Sequence, residues 1–149
     1  MKHIFFCFFL GFCLATFAQT ATDLVMWKVD YDAAQFQKGK TLTVTFSAKL
    51  KAGYHLYSAT QPAKAVLPMT LEPYKKNKGC TFEPFTETGN RKVEFDDIFK
   101  ADIAYYDTDF QIVQKIKINK KKAPIKGTIH FQVCNDEMCL PGEYSFEIK

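Results

Sequence analysis

Apolar residues in the first half of the chain alternate with polar ones instead of recurring every three or four positions. A period of two is typical of a β-strand that buries one of its faces. Two segments, over residues 24–31 and 42–48, follow this period clearly. The apolar positions that define their buried faces are Val25, Trp27, Val29, Tyr31, Leu42, Val44, Phe46 and Ala48.

The same criterion, with Gly, Pro, Asn and Lys turns between the segments, predicts about eight short strands. No amphipathic helix longer than two turns is visible, so the fold class is predicted to be all-β, an immunoglobulin-like antiparallel β-sandwich. Residues 82–109 alternate poorly and predict an irregular edge or a loop with exposed rings. The further predicted strands are Tyr54 to Ser58, Met69 to Tyr74, Lys92 to Phe95, Phe110 to Ile118, Ile129 to Cys134 and Tyr144 to Ile148.

The N-terminal residues have the pattern of a secretory signal peptide. Lys2 precedes an uncharged run from Ile4 to Phe17, and small side chains stand where a cut after Ala18 requires them. A membrane anchor needs nearer to about 20 apolar residues, and Phe12 before Cys13 does not suit a lipid-attachment site. We therefore predict a signal peptide over residues 1–18, one domain over residues 19–149, and a periplasmic or otherwise exported protein without stable membrane insertion after cleavage.

Size and charge limit the classes of function. Removal of 18 of the 149 residues leaves 131, which suits one domain with one core. The net charge of +4 is small, and the lysines at 120–122 are not interleaved with aromatic residues as on a nucleic-acid surface. We predict no nucleic-acid partner, and nothing in the sequence indicates a cofactor, a nucleotide site or a hydrolase.

Cysteines supply the candidate chemistry. Cys7 and Cys13 leave with the signal peptide, so three remain in an oxidising compartment: Cys80, Cys134 and Cys139. One of the three is therefore spare or pairs with another molecule. Nearby lysines could make Cys80 reactive, although a single cysteine is more often a small buried apolar group.

The pair Cys134 and Cys139 lies at the end of a predicted hairpin. Counting along the strand before it puts Ile129, Phe131 and Val133 on the core face and Cys134 on the other face. In the returning strand, Cys139 has the parity of the outward-facing residues unless Pro141 or Gly142 introduces a bulge. We expect both sulfurs on the polar face, where a disulfide would join the ends of the loop and be reachable by a partner.

A bridge across four residues is a weak staple. The loop-entropy model gives it roughly 2 kcal/mol or less, against nearly 5 kcal/mol for a loop of about 100 residues. An accessible disulfide is suited to exchange because an attacking thiolate must reach the sulfur. Asp136 and Glu137 raise the pKa of a neighbouring thiol, which disfavours an aggressive nucleophile. The residues alone leave an exchanging disulfide and a structural one equally open.

The segment Val133-Cys134-Asn135-Asp136-Glu137-Met138-Cys139-Leu140-Pro141-Gly142-Glu143 resembles the active-site hairpin of a known family. The family is the N-terminal periplasmic domain of the thiol:disulfide interchange protein DsbD, also called the disulfide bond corrector domain. The upstream segment Ala52-Gly53-Tyr54-His55-Leu56-Tyr57-Ser58 resembles the aromatic strand of that family. The resemblance covers most of residues 24–149, with the two motifs in the expected order.

The resemblance implies an immunoglobulin-like protein thiol-disulfide oxidoreductase domain. Cys134 and Cys139 would take electrons from a thioredoxin-like or DsbD-type membrane protein and reduce periplasmic thiol proteins. A cap loop, matched by position to residues 96–99, would shield the sulfurs with an aromatic ring. The side chains implied to line the site are His55, Tyr57, Asp97, Phe99, Met138 and Pro141.

The sequence departs from the family in some respects and leaves rival interpretations. Gly142 stands where a second proline is common, and the chain has neither a membrane-spanning region nor a thioredoxin-like C-x-x-C domain. Its electron donor is therefore expected to be another protein, or the domain is a binding module with an inert disulfide. The third interpretation is Cu(I) binding by Cys134, Cys139, Met138 and His130, although Met138 alternates away from the cysteines.

Overall fold

A computed structural model describes residues 20–120 and 124–149. The predicted signal peptide, with Cys7 and Cys13, lies outside the described residues. Short 3-10 helices span Ala21–Asp23 and Ala33–Gln35. The described residues form eleven strands: β1 (Val25–Tyr31), β2 (Thr41–Leu50), β3 (His55–Tyr57), β4 (Thr70–Pro73), β5 (Cys80–Phe82), β6 (Thr86–Thr88), β7 (Lys92–Asp96), β8 (Ala101–Tyr106), β9 (Phe110–Ile118), β10 (Ile125–Cys134) and β11 (Cys139–Ile148).

The strands form two antiparallel sheets. The smaller sheet has the order β1-β2-β9-β5, and β6 also pairs with β9. The larger sheet has the order β11-β10-β3-β8-β7, and β4 also pairs with β10. This two-sheet arrangement confirms the predicted immunoglobulin-like β-sandwich.

The hydrophobic core lies between the two sheets. Alternation along β2 buries Leu42, Val44, Phe46 and Ala48, as the sequence predicts. Phe46 of the smaller sheet packs against Phe146 of the larger sheet, with ring centroids 4.7 Å apart. Burial of such aromatic side chains supplies much of the driving force for folding.

The prediction for residues 82–109 is correct in one part and wrong in another. The predicted strand Lys92 to Phe95 is confirmed as β7, which lies at the edge of the larger sheet. The prediction of an irregular edge or a loop is wrong for β8, an interior strand paired with both β3 and β7. Both faces of β8 are covered: Tyr106 enters the main core, whereas Ile103 is buried on the opposite face. A strand buried on both faces loses the alternation of apolar and polar residues, so its sequence did not look like a strand.

No helix within the described part of the chain is long and apolar enough to cross a bilayer.

Candidate redox site

The hairpin of β10 and β11 places the two cysteines opposite each other. Their register runs without a bulge from Ile125 and Ile148 to Cys134 and Cys139, which confirms the predicted parity of Cys139. The loop between them is held by Asn135, whose Oδ1 accepts hydrogen bonds from the backbone N–H groups of Glu137 and Met138 at 3.0 and 2.8 Å. The Asn135 N–H donates to the Met138 carbonyl at 2.9 Å. The local sequence therefore fixes the positions of both cysteines.

Cys134 and Cys139 form a disulfide, with a sulfur–sulfur distance of 2.06 Å and Cα atoms 4.0 Å apart. The two halves of the bridge differ in exposure: Cys134 is only 1 % exposed, whereas Cys139 is exposed. The expectation that both cysteines would be open on a polar face is wrong for Cys134. A partner can approach the bridge through Cys139.

Cys134 is buried on the outer face of the larger sheet, away from the main core. It forms a small apolar cluster with Tyr57 of β3 and Ile103 of β8. Ala65 and Val66, from the segment between β3 and β4, pack against this cluster, as do Ala101 and Tyr105. These contacts join residues far apart in sequence, and for that reason the local pattern did not reveal them.

His55 and Tyr57 occupy the strand beside the disulfide. His55 lies directly opposite Cys134 in the antiparallel pairing of β3 and β10. The Tyr57 hydroxyl lies 3.7 Å from Cys139 Sγ, and burial raises the pKa of this phenol. The rings of His55 and Tyr57 are 5.6 Å apart. His55 therefore lies beside the Cys134 half of the bridge, and Tyr57 lies beside the Cys139 half.

Tyr105 is a site residue that sequence reasoning missed. It lies opposite Tyr57 in the pairing of β3 and β8, and its ring is 5.1 Å from that of His55. Its hydroxyl donates a hydrogen bond to Glu94 at 2.7 Å. Burial and this carboxylate raise the pKa of Tyr105 to about 12. Recognition of β8 as a strand would have placed Tyr105 beside the aromatic strand.

Carboxylates surround His55. Burial lowers the pKa of the imidazole, while Asp136, Asp107, Asp96 and Glu94 act in the opposite direction. Asp107 is itself paired with Lys92 at 2.6 Å. Because desolvation is the larger influence, His55 is held in its neutral form at neutral pH.

The predicted cap residues lie in the turn between β7 and β8. Asp96 Oδ1 accepts hydrogen bonds from the backbone N–H groups of Ile98 and Phe99 at 2.8 and 2.9 Å, which shapes the turn. Phe99 is 43 % exposed, and Asp97 is exposed with its carboxylate 3.2 Å from Lys100 Nζ. The turn leads directly into the strand that contributes Ala101 and Ile103 to the Cys134 cluster. A shielding role for Phe99 stays a prediction.

The other predicted lining residues lie on or near the hairpin. Met138 is 43 % exposed next to Cys139, and Pro141 is exposed and pairs with Gln132. Within residues 20–120 and 124–149, no three His, Cys, Asp or Glu side chains are grouped so that they could hold a metal ion.

Cys80 lies in β5, on the other sheet. It is partly buried against the main core, and burial raises the pKa of its thiol. Both observations favour the interpretation of Cys80 as a small apolar group, because a reactive cysteine needs a readily formed thiolate.

Comparisons with known proteins agree with this geometry. The sequence model of the family described as "Thiol:disulfide interchange protein DsbD, N-terminal" matches residues 26–148. A search of curated proteins found no sequence that matches the chain.

Solved structures are similar in fold. The N-terminal periplasmic domain of ScsB from Proteus mirabilis matches with a TM-score of 0.64 and 10 % identity, over 89 % of this chain and 49 % of that one. The N-terminal domain of DsbD from Neisseria meningitidis, in its reduced form, matches with a TM-score of 0.50 and 16 % identity, over 71 % and 75 %. A complex of the DsbD and PilB N-terminal domains from the same organism matches with a TM-score of 0.50 and 15 % identity, over 82 % and 81 %. The chain thus spans about half the length of the ScsB domain.

Proposed function

The chain belongs to the family of DsbD N-terminal domains, and on that premise we propose that it is a periplasmic protein thiol-disulfide oxidoreductase domain. Cys134 and Cys139 exchange electrons with a thioredoxin-like or DsbD-type membrane donor and with exported thiol proteins. The pattern of a signal peptide over residues 1–18 supports export. An N-terminal periplasmic domain among the structural neighbours agrees with this location.

The observation that carries the proposal is the unequal exposure of the two halves of the disulfide. Thiol-disulfide exchange requires a thiolate to reach one sulfur of the bridge. Cys139 is exposed, whereas Cys134 is enclosed by the apolar cluster. We therefore assign the contact with the partner's sulfur to Cys139. The sequence alone left open which of the two cysteines makes this contact.

The reaction balances as two successive exchanges. A thiolate of the donor attacks Cys139 Sγ, the bond to Cys134 Sγ breaks, and Cys134 takes the electron pair and a proton. A second thiolate of the donor then attacks the donor's own sulfur in the mixed disulfide and releases Cys139. The donor leaves as a disulfide and the domain as a dithiol, which can reduce an acceptor disulfide by the same steps in reverse.

Two observations support a protein as the partner. Met138, next to Cys139 on the hairpin, is an exposed apolar residue, and so are Ile98 and Phe99 in the turn that leads into β8. Exposed apolar side chains beside a reactive group are typical of protein contacts. One structural neighbour is a complex between a DsbD N-terminal domain and a PilB N-terminal domain. In our proposal, Phe99 shields the bridge until the partner docks.

Trapping of mixed disulfides in the exporting cell tests the proposal. The Cys134→Ala variant keeps Cys139 but removes the thiol that resolves the intermediate, so it is expected to accumulate adducts with thioredoxin-like proteins. The Cys139→Ala variant, with only the buried thiol, serves as the matched control and is expected to capture few. Absence of a thioredoxin-like adduct from both variants would contradict the function and favour an inert binding module.

A further inference from the structure

The buried position of Cys134 raises the question of where its proton goes. When the reduced domain gives electrons to an acceptor, Cys139 first forms a mixed disulfide with it. Cys134 must then attack Cys139 Sγ as a thiolate. Formation of that anion inside an apolar cluster is unfavourable, because burial favours the neutral thiol. A nearby base would remove this obstacle.

The elements that enclose Cys134 offer few bases. The segment between β3 and β4 contributes Ala65 and Val66, and β8 contributes Ala101, Ile103 and Tyr105. Tyr57 and Tyr105 both have raised phenol pKa values. The Tyr57 hydroxyl is hydrogen-bonded to Cys139, and the Tyr105 hydroxyl to Glu94. A protonated phenol is a poor base at neutral pH.

His55 is the exception. It lies directly opposite Cys134 in the register of β3 and β10, on the same outer face of the sheet. Side chains of directly opposed residues in antiparallel strands lie close together, with Cβ atoms about 4.5–5.5 Å apart. The rings of Tyr57 and Tyr105 lie 5.6 and 5.1 Å from the imidazole, between ring centroids.

We propose that His55 accepts the proton of the buried Cys134 thiol when this cysteine resolves a mixed disulfide, and returns it when the reaction runs in reverse. This inference rests on the proposed exchange function. In the forward step, neutral His55 takes the thiol proton, Cys134 Sγ bonds to Cys139 Sγ, and the acceptor leaves as a thiolate. In reverse, imidazolium protonates Cys134 as a donor thiolate opens the bridge.

The charges around His55 suit both directions. Asp136 faces it from the hairpin loop, Glu94 and Asp96 from β7, and Asp107 from the end of β8. These carboxylates stabilise the imidazolium that forms when the proton is transferred. Burial opposes protonation and keeps the resting imidazole neutral. A neutral base with anionic neighbours is poised for reversible proton transfer.

A reaction of the reduced chain with an aromatic disulfide reagent, 5,5′-dithiobis(2-nitrobenzoate), separates the two steps. The chain carries Cys7→Ser, Cys13→Ser and Cys80→Ser, so that only Cys134 and Cys139 can react, and it is called the wild type below. Release of the first coloured thiol reports attack by Cys139, and release of the second reports resolution by Cys134. Stopped-flow measurement from about pH 5 to about pH 9 should show a second step that slows as pH falls through a value below the ordinary histidine pKa. An NMR titration of His55 should give the same value.

Substitution of His55 should affect only resolution. In His55→Gln the second step is expected to slow by about 100-fold at neutral pH and to lose its acidic limb, while the first step stays unchanged. Added imidazole should restore the second step in His55→Ala. His130→Gln is the matched control. His130 lies on the same face of β10 as Cys134, but its neighbours are Glu143 and Glu72 instead of the cysteine pair.

The outcomes separate this inference from the proposed function. A wild-type second step without an inflection at the His55 pKa, or a His55→Gln variant that resolves at the wild-type rate, would overturn the role of His55 alone. If His55→Gln does not fold, the wild-type pH profile and the NMR titration still decide. If neither thiol releases the coloured product in the wild type, the exchange function itself fails.

Discussion

The inner face of the larger sheet forms the hydrophobic core, whereas its outer face carries the disulfide. Strand β10 contributes residues to both faces. On the inner face, Ile129 and Val133 are fully buried against the smaller sheet. On the outer face, His130 is half-buried between two exposed carboxylates, and Cys134 lies in the apolar cluster with Tyr57 and Ile103. Successive residues of a strand point in opposite directions, so one strand serves both purposes.

The difference between the two faces explains how the proposed exchange at the disulfide could occur without disturbing the core. The bridge lies at the end of a hairpin and on the outer face, while the contacts that join the two sheets lie on the inner face. We therefore expect that opening the bridge leaves the contacts of the inner core unchanged, whereas opening a bridge through the core would disturb them.

The largest effect on stability is expected from the inner face. Phe46→Ala removes a fully buried ring that contacts Phe146 across the sandwich. The free energy of unfolding should fall by about 3–5 kcal/mol, measured by chemical denaturation. Gln132→Ala, on the outer face, should change it by less than about 0.5 kcal/mol. Equal losses in the two variants would contradict the assignment of stability to the inner face.

A smaller loss of stability is expected from Gly142→Ala. Gly142 lies in the β10–β11 hairpin, opposite Phe131 and on the inner face of the sheet. An added Cβ would lie 2.5 Å from two ring atoms of Phe131 and 2.8 Å from the Cβ of Ala21. Overpacking of this kind should cost about 1–3 kcal/mol of unfolding free energy. Glu143→Ala, the next residue on the outer face, is the control. A Gly142→Ala variant as stable as the wild type would contradict the close packing described here.

Reduction of the disulfide should cost less than the loss of Phe46. A bridge that closes four intervening residues restrains little of the unfolded chain, so the expected loss is about 2 kcal/mol or less. Denaturation curves with and without reductant measure it, and Cys134→Ala with Cys139→Ala gives an independent value. A loss as large as that of Phe46→Ala would identify the bridge as a structural staple.

The smallest effect is expected from Tyr57→Phe. The Tyr57 hydroxyl lies 3.7 Å from Cys139 Sγ, so in the reduced protein it can donate a hydrogen bond to the Cys139 thiolate. Its removal should raise the pKa of the Cys139 thiol, at a cost to the thiolate of about 1 kcal/mol or less. The rate of alkylation against pH, in a Cys134→Ala background, measures this shift. A lowered pKa would show that Tyr57 disfavours the thiolate.

The sequence predicted the elements whose pattern is local. Strand β9, with one buried face, was predicted with its observed bounds, Phe110–Ile118. The parity of Cys139 was also correct, because an antiparallel hairpin without a bulge keeps its alternation. Where one face is buried and the other is open, the period of two is sufficient evidence.

The sequence did not predict the burial of Cys134 or the position of Tyr105. Both depend on contacts between distant segments: Ala65 and Val66 cover an outer face that would otherwise be open, and β8 packs beneath them. Such tertiary contacts leave no periodic signal in any one segment. The unequal exposure of the two cysteines therefore emerges only in the folded protein.

The central claim is that a partner attacks Cys139 and not Cys134. It is tested most directly by identifying which cysteine a partner attacks first. Oxidised wild-type chain is mixed with a thioredoxin-like reductant that lacks its resolving cysteine, and the mixed disulfide is mapped by peptide mass spectrometry. The account predicts that the reductant is joined to Cys139, with Cys134 recovered as a free thiol. Attachment at Cys134, or failure of the bridge to open, would contradict it.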